Sequence, residues 1–541
     1  MKSGYIFLLS LIALVTGWIL MFSPYLIGND STSYFIIAKN MVLDGHWLWL
    51  RDNYGPWLDK PHLPFWLTAL AFKLFGFHPW SYLLPGAIFY LLGAIYTYKL
   101  ALLLYRNQET AQLSFLLYAT TIALMSCALD LRAEAYLLGE ILPAGYYLFK
   151  YHQKTRLRYL LLGALFAGLA LMTKGLFTLI TISTGLIALF IYQKQYHNLI
   201  SIKWWAVVVL AFVVATPEFI ALYTQFGVAG IKWFFGGSQF GRFFGTGRII
   251  QPKGGSLYYF VGVFLWAFLP WTLVFIAAVI ASYKRFKNYA LEQKQAAIYL
   301  LSTFGITFLL FSISHFQLDY YINIILPFAG IFSAAYLQEK MEQDSQSPIF
   351  KIQLGIAVLI LMLCLVLIGL ATIRGNPYFS LLGILPVLLL LFMLLTKSKL
   401  KLAQKAITYS ALAVSTVFFV GIAIEVIVLS QLNSGYIMAG IINQQDDKLP
   451  VYELHQSSVS VYIKKPAIIV NNIKELPGNS SYYLIAEDSE AKISAVLQRF
   501  PQAKIIVGRE FLYINNFLSY FIWSEARIQA KESYTALYKI N

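Results

Sequence analysis

Residues 352–373 read IQLGIAVLILMLCLVLIGLATI, a run of twenty-two residues without a charged side chain. A helix of about twenty apolar residues is long enough to cross the roughly 30 Å hydrocarbon layer of a bilayer. Similar blocks recur along the 541-residue chain, which is 59% hydrophobic and only 12% charged and has a mean hydropathy of +0.65. Soluble domains carry about a quarter charged residues. The composition therefore predicts an α-helical polytopic membrane protein.

The apolar blocks predict about thirteen transmembrane helices, at residues 5–27, 82–105, 110–129, 133–150, 158–173, 175–193, 204–225, 257–281, 296–313, 321–338, 352–373, 378–396 and 406–430. Basic residues concentrate in loops of one parity, which predicts that these loops face the cytoplasm. This distribution accounts for the formal net charge of +16 without a nucleic-acid partner. Residues 1–430 are thus predicted to form the membrane domain, and an odd number of spans places residues 431–541 outside.

The segment 431–541 is predicted to be a small extracytoplasmic α/β domain. Its short apolar runs KPAIIV, SYYLIA and AKIIV favour strands. Between the last two runs, SEAKISAVLQRF places apolar residues at helical spacing.

Two long outer loops are predicted, at residues 28–81 and 226–256. In the first, SYFIIAKNMVLDG is interpreted as an interfacial amphipathic helix capped by Ser31 or Ser33. The second is rich in Gly and Phe. Together they form the outer face on which a site is expected.

Charged residues gather at the outer ends of the spans, where burial is costly and usually serves a functional cavity. They are Asp30, Asp59, Lys60, Asp130, Arg132, Glu134, Lys174, Glu218 and Asp319. Lys174 and Glu218 stand in apolar context and are expected to line a cavity or to pair. Pro61 fixes φ after Asp59 and Lys60, so these two side chains are expected on a rigid turn suited to an anionic headgroup at the bilayer face.

Several motifs in order resemble those of the polyprenyl-phosphate glycosyltransferases, the GT-C-type group that holds protein O-mannosyltransferases and the lipid A aminoarabinose transferase. In the first loop they are Asp30-Ser31-Thr32-Ser33-Tyr34, Asp44-Gly45-His46-Trp47, Asp59-Lys60-Pro61, Phe65-Trp66 and Leu74-Phe75-Gly76. Further along they are Leu131-Arg132-Ala133-Glu134, Met172-Thr173-Lys174-Gly175, Phe234-Phe235 through Arg242-Phe243, Trp266 through Trp271, and Phe311-Ser312-Ile313-Ser314 through Tyr321. Where family members have a fourth-loop His, proposed as a metal ligand, this chain has Ser238 or Gln239.

The resemblance implies transfer of a sugar from a polyprenyl (undecaprenyl) phosphate to lipid A, another glycolipid or a protein. Lys60 and Arg242 are then candidates to stabilise the charge that develops on the donor phosphate, and Tyr321 is a candidate to contact the donor phosphate or sugar. The alternative for Arg242 is a snorkelling residue, and for Tyr321 an interfacial aromatic.

Asp30 is the candidate catalytic carboxylate, as a general base or as a group that orients the acceptor; its alternative is an acid favoured by a helix N-terminus. Asp59, Arg132, Glu134, Lys174 and Gln239 are further candidates to line the site or orient the acceptor.

Asp59 has two interpretations. It pairs with Lys60 or a nearby Arg, or it binds a divalent metal ion with His62. An Asp and a His three residues apart make a sparse metal site.

Three other functions compete with transfer. They are a lipid-linked sugar flippase or transporter, an O-antigen polymerase or ligase, and a non-catalytic scaffold. The chain has no P-loop and no Rossmann fingerprint, so no nucleotide is implied. The expected location is the bacterial inner membrane, among its lipids, with the site and the C-terminal domain facing the periplasm.

Overall fold

The computed structural model describes residues 3–19, 29–53, 55–127, 132–246, 255–374, 379–395, 400–432, 434–445, 449–454, 459–470, 472–477, 480–487, 490–501, 504–511 and 532–540. Most of these residues are helical, as the long apolar runs predict. Inside a bilayer only internally hydrogen-bonded backbone is tolerated, so an apolar run of this length has few alternatives to a helix.

Helices occupy most of the chain. The first twelve are α1 (Ser3–Ile19), α2 (Asn29–Asp44), α3 (Leu63–Phe75), α4 (Pro79–Tyr105), α5 (Gln108–Ala119), α6 (Ile122–Cys127), α7 (Ala133–Lys154), α8 (Leu157–Lys174), α9 (Phe177–Tyr192), α10 (His197–Ile200), α11 (Ile202–Val214) and α12 (Thr216–Lys232). The next twelve are α13 (Gly241–Phe244), α14 (Tyr259–Ala267), α15 (Thr272–Arg285), α16 (Leu291–Ile313), α17 (Leu326–Gln343), α18 (Pro348–Arg374), α19 (Phe379–Leu382), α20 (Ile384–Leu395), α21 (Leu402–Leu432), α22 (Ser434–Gln444), α23 (Val459–Tyr462) and α24 (Glu490–Arg499). A π-helix spans Trp233–Phe240, and 3₁₀ turns span Phe286–Asn288, Asp319–Ile325 and Ile473–Glu475.

Among the described residues, six helical segments are long and apolar enough to cross a membrane: Pro79–Tyr105, Leu157–Lys174, Leu291–Ile313, Asp319–Gln343, Pro348–Ile373 and Leu402–Ile424. The number rises to eight if each of two bent pairs is one span. The pairs are Ile202–Val214 with Thr216–Phe244, bent by 44°, and Tyr259–Ala267 with Thr272–Asn288, bent by 111°. A polytopic helical membrane protein is therefore confirmed, and the count of thirteen stays a prediction.

Several of the expected spans are shorter or broken. The block 110–129 divides into α5 and α6 at Thr120 and Thr121, whose hydroxyls donate to the carbonyls of Leu116 and Leu117. Other apolar helices have ten to seventeen residues: Gly4–Trp18, Leu63–Phe75, Phe177–Tyr192 and Ser380–Leu395. Mean hydropathy alone does not reveal such breaks. A threonine whose hydroxyl donates to a carbonyl of its own helix interrupts the helix without making the run polar.

The chain folds as two compact units. The first comprises Met1–Leu20, Asp59–Pro64 and Gly86–Val420, and the second comprises Met21–Leu58, Phe65–Pro85 and Gly421–Asn541. The turn Asp59–Pro64, which carries Lys60, therefore belongs to the first unit, while the remainder of the predicted loop 28–81 belongs to the second.

Close helix contacts in the first unit depend on glycine. A Cβ at Gly139 of α7 would lie 2.4 Å from the carbonyl oxygen of Phe89 in α4, and one at Gly163 of α8 would lie 2.5 Å from Leu148 in α7. Small residues let membrane helices approach in this way. Helices α4, α7 and α8 are consequently packed tightly, which fixes the ends of α7 and α8 from which the site is built.

The second unit contains a five-stranded sheet. Its strands are β1 (Val451–Glu453), β2 (Ala467–Ile469), β3 (Tyr482–Glu487), β4 (Lys504–Phe511) and β5 (Glu532–Ile540), in the order β2-β1-β3-β5-β4. β1 pairs in parallel with β2 and β3, whereas β5 is antiparallel to β3 and β4. The three predicted strands and the helix SEAKISAVLQRF form as expected, and β1 and β5 were missed.

Helix α2 differs from the amphipathic surface helix that was expected. It begins at Asn29, so Ser31 and Ser33 lie inside it and neither is its N-cap. Its residues Phe35, Ile36, Ile37, Ala38 and Lys39 are all at most 3% exposed. A helix buried on every face packs inside the protein rather than floating on a bilayer surface.

The same unit holds α2 against the C-terminal part of the chain. Lys39 Nζ donates to the carbonyl oxygens of Ser460 at 2.8 Å and Ile463 at 2.6 Å. Asn53 Nδ2 donates to Ser460 Oγ at 2.9 Å. The side chain of Lys39 thus contacts a segment that lies 421 residues away in sequence.

The predicted loop at 226–256 is helical through Phe244. Helix α12 kinks at Gly227, whose φ of 60° and ψ of −149° suit glycine. It then continues through the π-helix Trp233–Phe240 and α13. The abundance of glycine suggested a loop, but here glycine serves one kink and the close packing of a π-helix.

Candidate active site

A cleft in the first unit collects most of the predicted site residues. Its polar lining includes Asp59, Lys60, Lys174, Gln239, Arg242 and Tyr321. Its apolar lining includes Phe177, Phe243, Leu310, Phe311, Phe316 and Ile324. The empty space, open mouth included, is about 770 Å³. Charged groups on one side of an apolar wall suit a ligand that has an anionic head and a hydrocarbon chain.

Asp59 is held between two cations. Lys60 Nζ lies 2.9 Å from Asp59 Oδ2, and Arg242 donates from Nη2 to Asp59 Oδ1. Asp59 and Lys60 stand on the turn before α3, and Arg242 lies on α13, 183 residues further on. The three side chains are 14–23% exposed, so they remain accessible from the cleft. The prediction that Asp59 pairs with Lys60 or a nearby Arg agrees with this arrangement.

His62 anchors the turn that carries Asp59 and Lys60. Its backbone N–H donates to Glu218 Oε2 at 2.7 Å, and its ring Nδ1 lies 3.1 Å from the same oxygen. Both side chains are 1% exposed. Glu218 belongs to the first turn of α12, so the Asp59 turn is tied to the helical run that later carries Arg242.

Lys174 and Glu134 form a second ion pair. Lys174 Nζ donates to Glu134 Oε1, and Glu134 is 1% exposed. One residue earlier, Thr173 Oγ1 donates to Glu140 Oε1 at 2.8 Å. Because Glu134 and Glu140 are both on α7, these contacts join the end of α8 to α7. The pairing expected of Lys174 from its apolar context is therefore found.

Two tyrosines cover the basic side chains. Lys174 Nζ lies 3.8 Å from the ring centroid of Tyr321, and the Arg132 guanidinium lies 4.0 Å from that of Tyr320. Such cation–π contacts hold a cation in place without neutralising it. Arg132 and Glu134 thus lie near Lys174, as the predicted orienting group requires.

Gln239 lies on the π-helix and contacts the end of α8. Its Nε2 donates to the carbonyl oxygen of Lys174 at 3.2 Å. A π-helical turn is a frequent feature of functional sites. Ser238 and Gln239, the two candidates for the position of the fourth-loop His, both line the cleft.

A divalent metal at Asp59 and His62 does not fit these contacts. Both carboxylate oxygens of Asp59 already face cations, which would repel a metal ion. His62 is engaged by Glu218 instead. Within the described ranges, no three His, Cys, Asp or Glu side chains are grouped so as to hold a metal ion.

Asp30 lies in the first turn of α2, and its side chain is outside the described residues, as is Asp130. Sequence reasoning did not assign Glu140 or the partner of Glu218. Glu140 is the second glutamate of the apolar block 133–150, after Glu134, and its apolar context was a signal in the sequence. No pattern in the sequence indicated that Glu218 contacts His62.

Comparisons with known proteins agree with the motif resemblance. Residues 59–220 match the family described as dolichyl-phosphate-mannose-protein mannosyltransferase. Undecaprenyl phosphate-alpha-4-amino-4-deoxy-L-arabinose arabinosyl transferase 2 of Proteus mirabilis is 25% identical over 318 residues, which cover 56% of this chain and 53% of that protein. The transferase of Serratia proteamaculans is 25% identical over 63% of this chain and 60% of its own length. The matched segments thus span little more than half the length of these relatives.

The fold is shared over nearly the whole chain. The crystal structure of ArnT from Cupriavidus metallidurans bound to undecaprenyl phosphate superposes with a TM-score of 0.76 at 18% identity, covering 99% of this chain and 98% of that one. The apo state of the same protein gives a TM-score of 0.74. The predicted resemblance to the GT-C-type polyprenyl-phosphate glycosyltransferases is confirmed.

Proposed function

We propose that this membrane protein, which has the fold and the motifs of the polyprenyl-phosphate glycosyltransferases, transfers a glycosyl group from a polyprenyl (undecaprenyl) phosphate to an extracytoplasmic acceptor. Lipid A, another glycolipid and a protein are the acceptor classes. The observation that carries the proposal is the pair of cations, Lys60 and Arg242, held on one carboxylate at an apolar cleft.

The two cations suit a phosphate. A guanidinium binds two phosphate oxygens in parallel, and an ammonium group acts as a point charge. Both contact Asp59, so they are already gathered where a phosphate would bind. The prenyl chain lies against the apolar wall that includes Phe311 and Ile324, and Tyr321 contacts the phosphate or the sugar.

The chemistry requires stabilisation of a leaving group. The acceptor oxygen attacks the anomeric carbon, the bond from that carbon to the phosphate oxygen breaks, and polyprenyl phosphate leaves with the bonding electron pair. Because negative charge grows on the phosphate, Lys60 and Arg242 stabilise the transition state more than the ground state.

Asp30 is the proposed catalytic carboxylate. With a hydroxyl acceptor it takes the proton as a general base. With an acceptor that is already anionic it orients the acceptor or stabilises the oxocarbenium-like carbon. Arg132, Glu134, Lys174 and Gln239 line the site or orient the reacting groups.

The proposed setting is the bacterial inner membrane, crossed thirteen times, with the cleft and the domain 431–541 on the periplasmic side. The parity of the basic loops supports this orientation. The family chemistry also supports it, because its acceptors are extracytoplasmic.

The proposal is tested in two assays. Purified wild-type protein in nanodiscs is titrated with undecaprenyl phosphate, and lipid A and envelope glycans are compared by mass spectrometry in cells with and without the gene. We expect micromolar or tighter binding and the loss of one sugar from one glycan. Asp30→Asn should reproduce the deletion, while Asp344→Asn, an exposed acid outside the cleft, should not. Unchanged envelope glycans in the deletion strain would refute the proposed transfer.

A further inference from the structure

The Gln239 amide has a fixed orientation. Gln239 is 5% exposed, and its Nε2 donates to the carbonyl oxygen of Lys174 at 3.2 Å and to Ser238 Oγ at 3.3 Å. A backbone carbonyl can only accept a hydrogen bond. The NH₂ group must therefore face Lys174, and the amide oxygen Oε1 must face the other way.

That oxygen is left without a hydrogen bond. Gln239 Oε1 is buried and has no partner among the described residues. A buried acceptor that is unsatisfied costs stability, and native structures rarely keep one without a reason. Since Gln239 lines the cleft, a bound ligand can supply the missing donor.

The position of the amide is built into the backbone beside it. A Cβ at residue 175 would lie 2.4–2.6 Å from three atoms of the Gln239 amide. Gly175 also has a φ of +95°, which L side chains rarely adopt. The amide thus lies flat against a glycine that no other residue could replace without moving it. The contact with Gly175 therefore fixes the position of the Gln239 amide.

The neighbouring residue indicates which part of a ligand Oε1 meets. Arg242 follows Gln239 by three residues along a continuous helical run, and both side chains line the same cleft. A phosphate at Arg242 offers oxygens that only accept. The group next to it is the sugar bonded directly to that phosphate, and its hydroxyl or ammonium groups donate.

We propose that Gln239 is a specificity-determining residue, whose Oε1 accepts a hydrogen bond from a hydroxyl or ammonium group on the transferred sugar. This inference rests on the proposed function, because it requires a glycosyl phosphate in the cleft. It assigns recognition of the sugar to a side chain other than those that hold the phosphate.

The test separates sugar from phosphate. Gln239→Met keeps the length of the side chain and removes the amide. Full-length wild type and variant, in nanodiscs, are titrated with undecaprenyl phosphate, which has no sugar. Their kcat/KM is then measured with synthetic undecaprenyl phosphates bearing 4-amino-4-deoxyarabinose, mannose or galactosamine. For the glycoside that wild type uses, we expect a fall in kcat/KM of about tenfold, with the affinity for undecaprenyl phosphate changed less than twofold.

Two further variants are compared with Gln239→Met. Gly175→Ala displaces the amide without deleting it and should lower kcat/KM in the same way, again with undecaprenyl phosphate binding retained as a check on folding. Gln346→Met replaces an exposed glutamine outside the cleft and should behave as wild type.

The experiment distinguishes a failure of the proposed Gln239 role from a failure of the proposed function. If wild type transfers sugar and Gln239→Met transfers it equally well, the role of Gln239 is refuted and the transferase stands. A loss of undecaprenyl phosphate affinity equal to the loss of kcat/KM would also refute it, as would a change confined to the KM of the acceptor. If wild type neither binds undecaprenyl phosphate nor uses any glycoside, the proposed function itself fails.

Discussion

Glu218 accepts the backbone N–H of His62 at 2.7 Å, and the His62 ring approaches the same carboxylate oxygen at 3.1 Å. The two residues are 156 positions apart and almost wholly buried. A carboxylate placed there sets the height and direction of the turn that presents Asp59 and Lys60. The turn is therefore positioned by a contact outside the cleft, and phosphate binding should depend on it.

Removing the Glu218 carboxylate should loosen the turn. Glu218→Ala leaves a buried N–H and a buried ring without their acceptor, at a cost of about 1–3 kcal/mol. Glu218→Gln keeps one acceptor oxygen and should lose less. We expect a lower thermal midpoint for both and at least a fivefold weaker undecaprenyl phosphate affinity for Glu218→Ala. An alanine variant that binds as tightly as wild type would show that His62 does not position the turn.

The affinity for undecaprenyl phosphate should depend on the planar geometry of the Arg242 side chain as well as on its charge. Charged hydrogen bonds contribute about 1.5–3 kcal/mol, so Arg242→Met should weaken undecaprenyl phosphate binding by at least tenfold. Arg242→Lys keeps the charge but loses the planar fork and should fall between. The measurement is a titration at two salt concentrations. Equal affinities for all three proteins would remove Arg242 from the phosphate site.

The Glu134 and Lys174 pair should be non-additive. Lys174→Met alone leaves Glu134 buried and uncompensated, which typically costs 3–5 kcal/mol. Adding Glu134→Gln removes that charge, so the double variant should be more stable than Lys174→Met. Thermal unfolding of wild type, both single variants and the double variant forms the cycle. Additive losses would mean that the two side chains do not interact in the folded protein.

Lys39 gives the second unit a pH dependence. Burial lowers the pKa of Lys39 from 10.5 to about 8, a shift that the nearby carboxylate of Glu453 opposes. Between pH 8 and 10.5 the folded protein holds this amine neutral, whereas the unfolded chain still protonates it. The unfolded state then binds more protons, so stability rises with pH across this window.

The Lys39→Met variant isolates that effect. Thermal midpoints of wild type and variant are measured by tryptophan fluorescence at pH 7.5, 8.5 and 9.5. The midpoint of wild type, relative to that of the variant, should rise with pH. The full window is worth about 3 kcal/mol. A neutral amine keeps two N–H donors for the carbonyls of Ser460 and Ile463. A flat difference would mean that Lys39 remains charged when buried.

The parts of the fold that follow from local sequence could be predicted. The apolar run 352–373 has no alternative to a helix in a bilayer, and SYYLIA and AKIIV form strands as their composition indicates. The segment 226–256 could not be resolved in this way. Glycines there were taken for a loop, whereas Gly227 supports one kink and the chain continues as a helix through Phe244.

The partners of individual side chains were harder to predict from the sequence. The polar residues of the cleft were predicted individually, because a charge beside an apolar block is conspicuous. The pairing of Asp59 with Lys60 or a nearby Arg was predicted, but the partners of Lys174 and Glu218 were not, since Glu134 meets Lys174 across 40 residues and His62 meets Glu218 across 156. Such partners depend on how helices pack, and glycine contacts such as that of Gly139 with Phe89 decide this packing.

Asp59 has a consequence for ligand exchange in the proposed reaction. Its carboxylate pairs with Lys60 and Arg242, the two cations proposed to hold the donor phosphate. The incoming lipid phosphate would therefore compete with an internal carboxylate for these cations, and the carboxylate would pair with them again once the phosphate leaves. Ligand exchange would thus swap one anion for another, which would keep the two cations ordered throughout a turnover and help the spent carrier lipid to leave.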